Sequence, residues 1–183
     1  MKNFIEFLES IEISKESLTK GFEELIIDRT ILKKKSGICV FYLSSKSVVL
    51  HERLENIRKE MEKKLCPPID SIKVILKIEG YEKKPLKKVI KKYWPNIFYL
   101  IKQNCPSVLA YSNDLEHLCI DDLLKIKAPN EFIFNRLKEK ELDEKIKTMI
   151  FEELGIEVNV ILEKAKENKH EEDEIKKIIK KKL

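Results

Sequence analysis

The sequence predicts an α+β fold made of two small modules, each ordered helix, strand, strand, helix, strand, with a small sheet packed on helices. Three observations lead to this prediction. The spacing of apolar residues changes repeatedly between the helical period and the strand period. Glycine, proline and Asp or Asn pairs separate the periodic segments. The same order of elements then occurs twice, in residues 1–80 and in residues 81–162.

The first module, residues 1–80, begins with apolar residues at helical spacing and ends with the clearest alternating strand of the sequence. Its predicted elements are helix 1–10, strand 23–35, strand 38–49, helix 51–65 and strand 72–79. The Ser36-Gly37 pair is the predicted hairpin turn between the first two strands. Pro67 and Pro68 end the helix, because proline has no amide hydrogen to give to the helical ladder.

The second module, residues 81–162, repeats this order with a longer helical region. Its predicted elements are helix 85–104, a short segment 106–111, strand 115–120, strand 123–128, a helical region 130–154 with a break near residue 140, and strand 156–162. Pro95 lies inside the first helix and is expected to kink it or restart it. Asn130 is the predicted N-cap of the second helical region, and Gly155 is its predicted C′ residue. The charged stretch 163–183 is predicted to be a linker or a solvated helix.

The composition favours a cytosolic protein without a membrane span. Hydrophobic residues make up 43% and charged residues 38% of the 183 residues, which is enough for modest cores beneath a heavily charged surface. No segment approaches the roughly 18 apolar residues of a membrane-crossing helix. The four cysteines are scattered and form no Cys-x-x-Cys pair, a pattern typical of free thiols in the reducing cytosol. The segment 81–92 holds six lysines and one glutamate, which equals the whole net charge of +5.

The sequence lacks the residue patterns of an enzyme or of a cofactor site. Its four glycines are isolated, so it has neither a P-loop, nor a dinucleotide-binding loop, nor the GxxG loop of KH-type RNA-binding folds. A nucleophilic site needs a base beside Ser, Cys or Thr, and the chain has only three histidines. His117 and Cys119 share one strand face but supply two of the four ligands of a structural zinc site. We therefore expect no catalytic residue, no cofactor and no metal.

An ordered series of short motifs connects the chain with a known family. Tyr93-Trp94 closes the amphipathic segment VIKKYW, two short strands and a Pro129-Asn130 helix start follow, and ELGIEVNVILE ends the second module. This series resembles the N-terminal region of the PolC-type DNA polymerase III α subunit, the replicative polymerase of low-GC Gram-positive bacteria. The resemblance extends to both modules. Pro95, directly after the tryptophan, departs from the acidic or polar residue expected there.

The resemblance implies a non-catalytic role for these residues. In that family this region precedes OB, nuclease and polymerase domains, so the 183 residues are expected to be part of a DNA-directed DNA polymerase with a 3′–5′ exonuclease. The resemblance also implies that the charged stretch 163–183 leads into these downstream domains. The second module is expected to be KH-like and to dock the polymerase onto the tau subunit of the clamp loader. The alternative is a module that binds nucleic acid without sequence specificity.

Five aromatic residues of the second module are candidates for contact with a protein partner. They are either exposed anchors or part of the core, and helical spacing favours the core for the tryptophan. Two of them lie two residues apart in one predicted helix, so they cannot both face the same core, and one is expected to be partly exposed. The five residues are Tyr93, Trp94, Phe98, Phe132 and Phe134.

A lysine-rich helix face is the candidate for DNA or for an acidic partner. Its cations fall opposite the apolar stripe of helix 85–104, where a merely solvated surface is the simpler interpretation. Lysine also reads phosphates and base edges less specifically than arginine does. The lysine face consists of Lys83, Lys84, Lys87, Lys88, Lys91 and Lys92.

Overall fold

Two small sheets, one in each module, organise the chain. The computed structural model describes residues 2–13 and 21–165. The first sheet has the strand order β1-β2-β3-β4 and the second the order β5-β6-β7. The strands are β1 (Lys2–Asn3), β2 (Ile26–Lys33), β3 (Ile38–Ser45), β4 (Ser71–Ile78), β5 (Glu116–Ile120), β6 (Leu123–Ala128) and β7 (Asn159–Lys164).

The helices occupy the positions that the apolar periodicity predicts. They are α1 (Phe4–Ser10), α2 (His51–Leu65), α3 (Leu86–Asn104), a 3-10 helix (Pro106–Tyr111), α4 (Glu131–Glu139) and α5 (Leu142–Leu154). The predicted break near residue 140 is the junction between α4 and α5. The α+β class and the two-module organisation are therefore confirmed.

The three long strands of the first sheet and the three strands of the second have the same topology. β2 runs antiparallel to β3, and β3 runs parallel to β4. β5 likewise runs antiparallel to β6, and β6 runs parallel to β7. A parallel pair needs a long crossover, which α2 provides in the first module and α4 with α5 in the second.

Local sequence signals explain where several elements begin and end. The Asn130 side-chain oxygen accepts a hydrogen bond from the Ile133 amide at 2.9 Å, so Asn130 caps α4 as predicted. Gly155 ends α5 with a positive φ of 67°. Gly37 has a φ of 60° in the β2–β3 turn, and a Cβ atom placed there would lie 1.8 Å from the Asp70 carboxylate. Glycine is thus required at this turn both by its conformation and by its neighbour.

The modules share one hydrophobic core. Buried side chains of both modules belong to a single contiguous cluster, and α3 lies in its middle with Tyr93, Ile97 and Ile101 fully buried. Asn96 of α3, which is 1% exposed, accepts a hydrogen bond from the His51 amide at 3.0 Å and donates one to the Val49 carbonyl at 2.9 Å. A side chain of the second module therefore satisfies the backbone at the start of α2 in the first.

Several features differ from the prediction. β2 begins at Ile26 rather than at residue 23, and β3 ends at Ser45 rather than at residue 49. α3 continues through Pro95, so of the two expected effects of Pro95 the restart is wrong, and the kink stays a prediction. Proline has no amide hydrogen, so the Lys91 carbonyl loses its helical partner at Pro95, and both residues are exposed. β7 begins at Asn159 rather than at residue 156, because Asn159 is the residue that pairs with Leu123 at the start of β6. The predicted linker 163–183 begins inside β7, and its residues from 166 onward lie outside the described part of the chain.

Candidate interaction surfaces

The three aromatic candidates on α3 face the interior to different degrees. Tyr93 is fully buried and its hydroxyl donates a hydrogen bond to a Glu153 carboxylate oxygen at 2.5 Å. Burial and the Glu153 charge raise the pKa of Tyr93 far above its ordinary value. Trp94 and Phe98 are partly buried and pack against the core. Partner contact through these residues stays a prediction, and the structure leaves only Trp94 and Phe98 with surface to offer.

Phe132 is the most exposed of the five aromatic candidates. It is 54% exposed on α4, with the Arg136 guanidinium 5.5 Å from its ring centroid. Phe134 is partly buried against the core. The expectation that one of the two faces solvent is therefore confirmed, and Phe132 is the one. Its binding to a partner remains a prediction.

His117 and Cys119 lie on the same face of β5, as their spacing predicts, and His117 contacts an aromatic ring. The His117 ring stacks on Trp94 with 3.9 Å between ring centroids and 19° between planes. Partial burial lowers the pKa of His117 and raises the pKa of Cys119. Within residues 2–13 and 21–165, no three His, Cys, Asp or Glu side chains converge as a metal ion would require.

A polar cluster ties α2 to α3 and α5. His51 Nε2 lies 2.8 Å from the same Glu153 oxygen that accepts the Tyr93 hydroxyl. The His51 ring also meets the Tyr93 ring edge-on, with 6.1 Å between centroids. His51, Glu153 and Tyr93 thus form a hydrogen-bonded group between the modules, which stabilises their arrangement.

All six residues of the lysine face are exposed. None of them makes an ion pair with any residue that the structure describes. The Lys84 ammonium lies 3.8 Å from the Tyr81 ring centroid, a cation–π contact that leaves its charge in place. The lysine face therefore presents unneutralised positive charge.

The open face of the second sheet is a surface that the sequence did not reveal. Leu118, Ile120 and Ile161 point to the side of this sheet opposite the buried Leu124 and Ile126, and they are 45%, 48% and 43% exposed. Strand alternation places Leu118 and Ile120 on one side of β5, but only the packing shows that this side is the uncovered one.

The charges around this apolar strip neutralise each other. Lys125 of β6 lies 2.7 Å from the Glu163 carboxylate of β7, and Lys127 lies 3.8 Å from the Glu116 carboxylate of β5. Both lysines belong to the same outward-facing side as Leu118. The open face of the second sheet is thus apolar and electrically balanced.

Family models match both modules. The model described as DNA polymerase III polC-type N-terminus I matches residues 3–76, and the one described as DNA polymerase III polC-type N-terminus II matches residues 92–183, which is half of the chain. Searches of curated proteins and of solved structures found no match. In the described part of the chain, no helix has the length and apolarity to cross a membrane. With both N-terminal models matched in order, the chain belongs to the polC-type N-terminal region of DNA polymerase III.

Proposed function

We propose that this region is non-catalytic and docks the polymerase onto the tau subunit of the clamp loader. The observation that supports this role is the open face of the second sheet. There Leu118, Ile120 and Ile161 are exposed to solvent, and two ion pairs lie beside them. Exposed apolar patches rimmed by polar groups are typical of protein interaction sites. Docking would tether the polymerase at the fork and so raise the effective concentration of the clamp loader.

The chemistry of this face favours a protein over nucleic acid. Lys125 and Lys127 are already neutralised by Glu163 and Glu116, so they have little net charge to offer to phosphates. Charge-poor apolar centres with polar rims are the common anatomy of protein interfaces. Phe132, an exposed aromatic ring on the same module, is a further anchor of the kind that dominates binding energy.

The test is calorimetric titration of the chain with the C-terminal part of the tau subunit at physiological salt. We expect saturable one-to-one binding that Leu118→Glu weakens about tenfold or more, because a carboxylate would be buried in an apolar interface. The matched control is Leu32→Glu, since Leu32 is 52% exposed on a strand of the first module. Equal affinities for both variants and the unchanged chain, or no heat at all, would contradict the docking role.

The second candidate function is sequence-nonspecific nucleic-acid binding through the lysine face. The exposure of all six lysines without ion pairs among the described residues favours it. Binding through several lysines should collapse between low and moderate salt, because released counterions drive it. Oligonucleotide affinity that is independent of salt would reject this candidate.

The wider role is also a proposal. Downstream domains of the same polymerase would carry the DNA polymerase and 3′–5′ exonuclease activities in the cytoplasm, and this region would need no cofactor. The division into modules at residues 80 and 81 and the KH-like character of the second module are parts of the same proposal. Limited proteolysis followed by mass spectrometry checks the division, since cleavage between the modules should precede cleavage within them.

A further inference from the structure

The outer face of the first sheet combines positive charge with a stacking surface. Strand register places Arg29 beside Tyr42 and Tyr42 beside Ile75, in one row across β2, β3 and β4. Ile31 of β2 and Lys73 of β4 flank Val40 in the next row. The opposite face of β4 carries the buried Ile72, Leu76 and Ile78 of the core. We propose that this outer face binds single-stranded nucleic acid.

The charge on this face is positive and available. Four cations project from it: Arg29, Lys33, Lys73 and Lys77. None of the four forms an ion pair with a described residue, in contrast to the lysines of the second sheet. Two acidic residues lie near them: the Asp28 carboxylate accepts a hydrogen bond from the Ser44 hydroxyl at 2.8 Å, and the exposed Glu79 follows β4 two residues after Lys77. The balance therefore favours an anionic ligand.

The spacing of the cations fits an extended ligand. Residues four apart on one strand lie roughly 13 Å apart, which separates Lys73 from Lys77 and also Arg29 from Lys33. β2 and β4 are separated by one strand, or roughly 10 Å. The four charges thus frame a flat area broader than one side chain, as a single-stranded backbone crossing a sheet requires.

The area between the four cations offers flat and apolar groups. The Arg29 guanidinium carbon lies 3.9 Å from the Tyr42 ring centroid, so the guanidinium stacks on the ring. Unpaired bases stack on aromatic rings and on guanidinium planes. Ile31 and Ile75, 37% and 47% exposed, flank this stack with apolar surface. Stacking groups surrounded by cations favour nucleic acid over an acidic peptide, because the peptide has no bases to stack.

This site is separate from the docking proposal. It lies on the first module and takes a ligand of different chemistry, so it can fail without affecting binding to tau. It also differs from the lysine face, which belongs to α3 and the turn before it. Variants in the two lysine sets therefore distinguish the two nucleic-acid proposals.

The test measures fluorescence anisotropy of a labelled oligothymidylate of about 15 nucleotides, a length in the range of single-strand binding sites. The double variant Lys73→Gln/Lys77→Gln should bind more weakly, and the slope of log affinity against log salt should fall by about 1.4, or about 0.7 for each lost phosphate contact. Tyr42→Leu should weaken binding about tenfold through loss of stacking, whereas Tyr42→Phe should bind like the unchanged chain.

Two further double variants each remove two lysines from other surfaces. Lys125→Gln/Lys127→Gln is the control on the second sheet, and Lys87→Gln/Lys91→Gln tests the competing lysine face, so the net charge falls equally in all three double variants. The second-sheet control should retain full oligonucleotide affinity, and the lysine-face variant should lose less affinity than the first-sheet variant. An equal or larger loss in the lysine-face variant would overturn the proposal and place the site on α3. Oligonucleotide affinity unchanged by the first-sheet variants would also overturn it, as would binding of an oligoglutamate peptide in place of the oligonucleotide.

Discussion

The two sheets of this protein share a topology but present opposite outer surfaces. The last strand of each carries an exposed isoleucine on its outer face, Ile75 in the first sheet and Ile161 in the second. Their neighbours on the middle strand are Tyr42 and Lys125. Around Ile75 the cations lack acidic partners among the described residues, whereas Lys125 is paired with Glu163.

This difference shows that the strand order does not decide what each face binds. The same antiparallel and parallel pairings support an unneutralised cationic face in one module and a balanced apolar face in the other. Function therefore depends on the few outward-pointing residues and on whether their charges are compensated. Three experiments test the comparison, beginning with the one of largest expected effect.

The comparison assumes that both sheets belong to one rigid frame, and Asn96→Ala tests this assumption. The substitution leaves the His51 amide and the Val49 carbonyl without their partner at a buried site. We expect the free energy of unfolding to fall by about 2–4 kcal/mol. Urea unfolding followed by circular dichroism and by the fluorescence of the single tryptophan measures it.

Asn104→Ala is the matched control on the same helix, because Asn104 is half-buried and its bonds reach the Leu100 carbonyl and Lys145 at the surface. It should cost less than about 1 kcal/mol. If circular dichroism and tryptophan fluorescence gave separate unfolding transitions, the two modules would be independent units. An Asn96→Ala effect no larger than that of the control would contradict the coupling.

The corresponding isoleucines give a reciprocal test of the two faces. Ile75→Glu should weaken oligonucleotide binding about tenfold, through charge repulsion and lost apolar contact, and leave tau binding unchanged. Ile161→Glu should have the reverse effect. Anisotropy with the oligonucleotide and calorimetry with tau are measured on both variants. The comparison fails if either variant impairs both ligands or neither.

The stack of Trp94 on His117 reports on the second module alone, since the chain has one tryptophan. Burial lowers the pKa of His117, so the ring should take up its proton below pH 6.5 in the fold and near 6.5 after unfolding. The unfolded state then binds the proton first, and stability should decrease as the pH falls through 6.5.

A pH titration of Trp94 fluorescence measures this effect, because protonation places a cation against the indole face. The transition should have a midpoint below 6.5 and should be absent in His117→Gln. A midpoint at or above 6.5 would contradict the assigned environment of His117. The effect is the smallest of the three, because His117 is only partly buried.

The elements that depend on local signals could be predicted from the sequence. The apolar stripe of α2 gave its bounds, and Asn130 and Gly155 marked the start of α4 and the end of α5. The start of β7 could not be predicted, because the alternation that begins at residue 156 precedes the first residue that β6 can pair. The span of α3 was predicted, but whether Pro95 would interrupt it could not be, because the cost of a proline inside a helix depends on how the carbonyl four residues earlier is satisfied.

The candidate surfaces were harder to predict than the elements. Helical spacing indicated that Phe132 or Phe134 would be exposed, but the choice of Phe132 depends on how α4 packs. The burial of Tyr93 could be predicted from its place on the apolar stripe of α3. Its hydrogen bond to Glu153 could not, because the two residues lie sixty positions apart. Neither open sheet face was predicted, because alternation separates the two sides of a strand without showing which side is covered.

The sequence by itself determined the order of helices and strands, the two-module plan, and membership in the polC-type N-terminal family, because these depend on periodicity and on short ordered motifs. Only the tertiary structure decided which charges are neutralised and which apolar side chains remain exposed. Those properties depend on pairs such as Lys125 with Glu163 and Asn96 with the start of α2, which are distant along the chain. Distant residues neutralise or hydrogen-bond each other only when the chain packs, so local sequence patterns do not show these pairs.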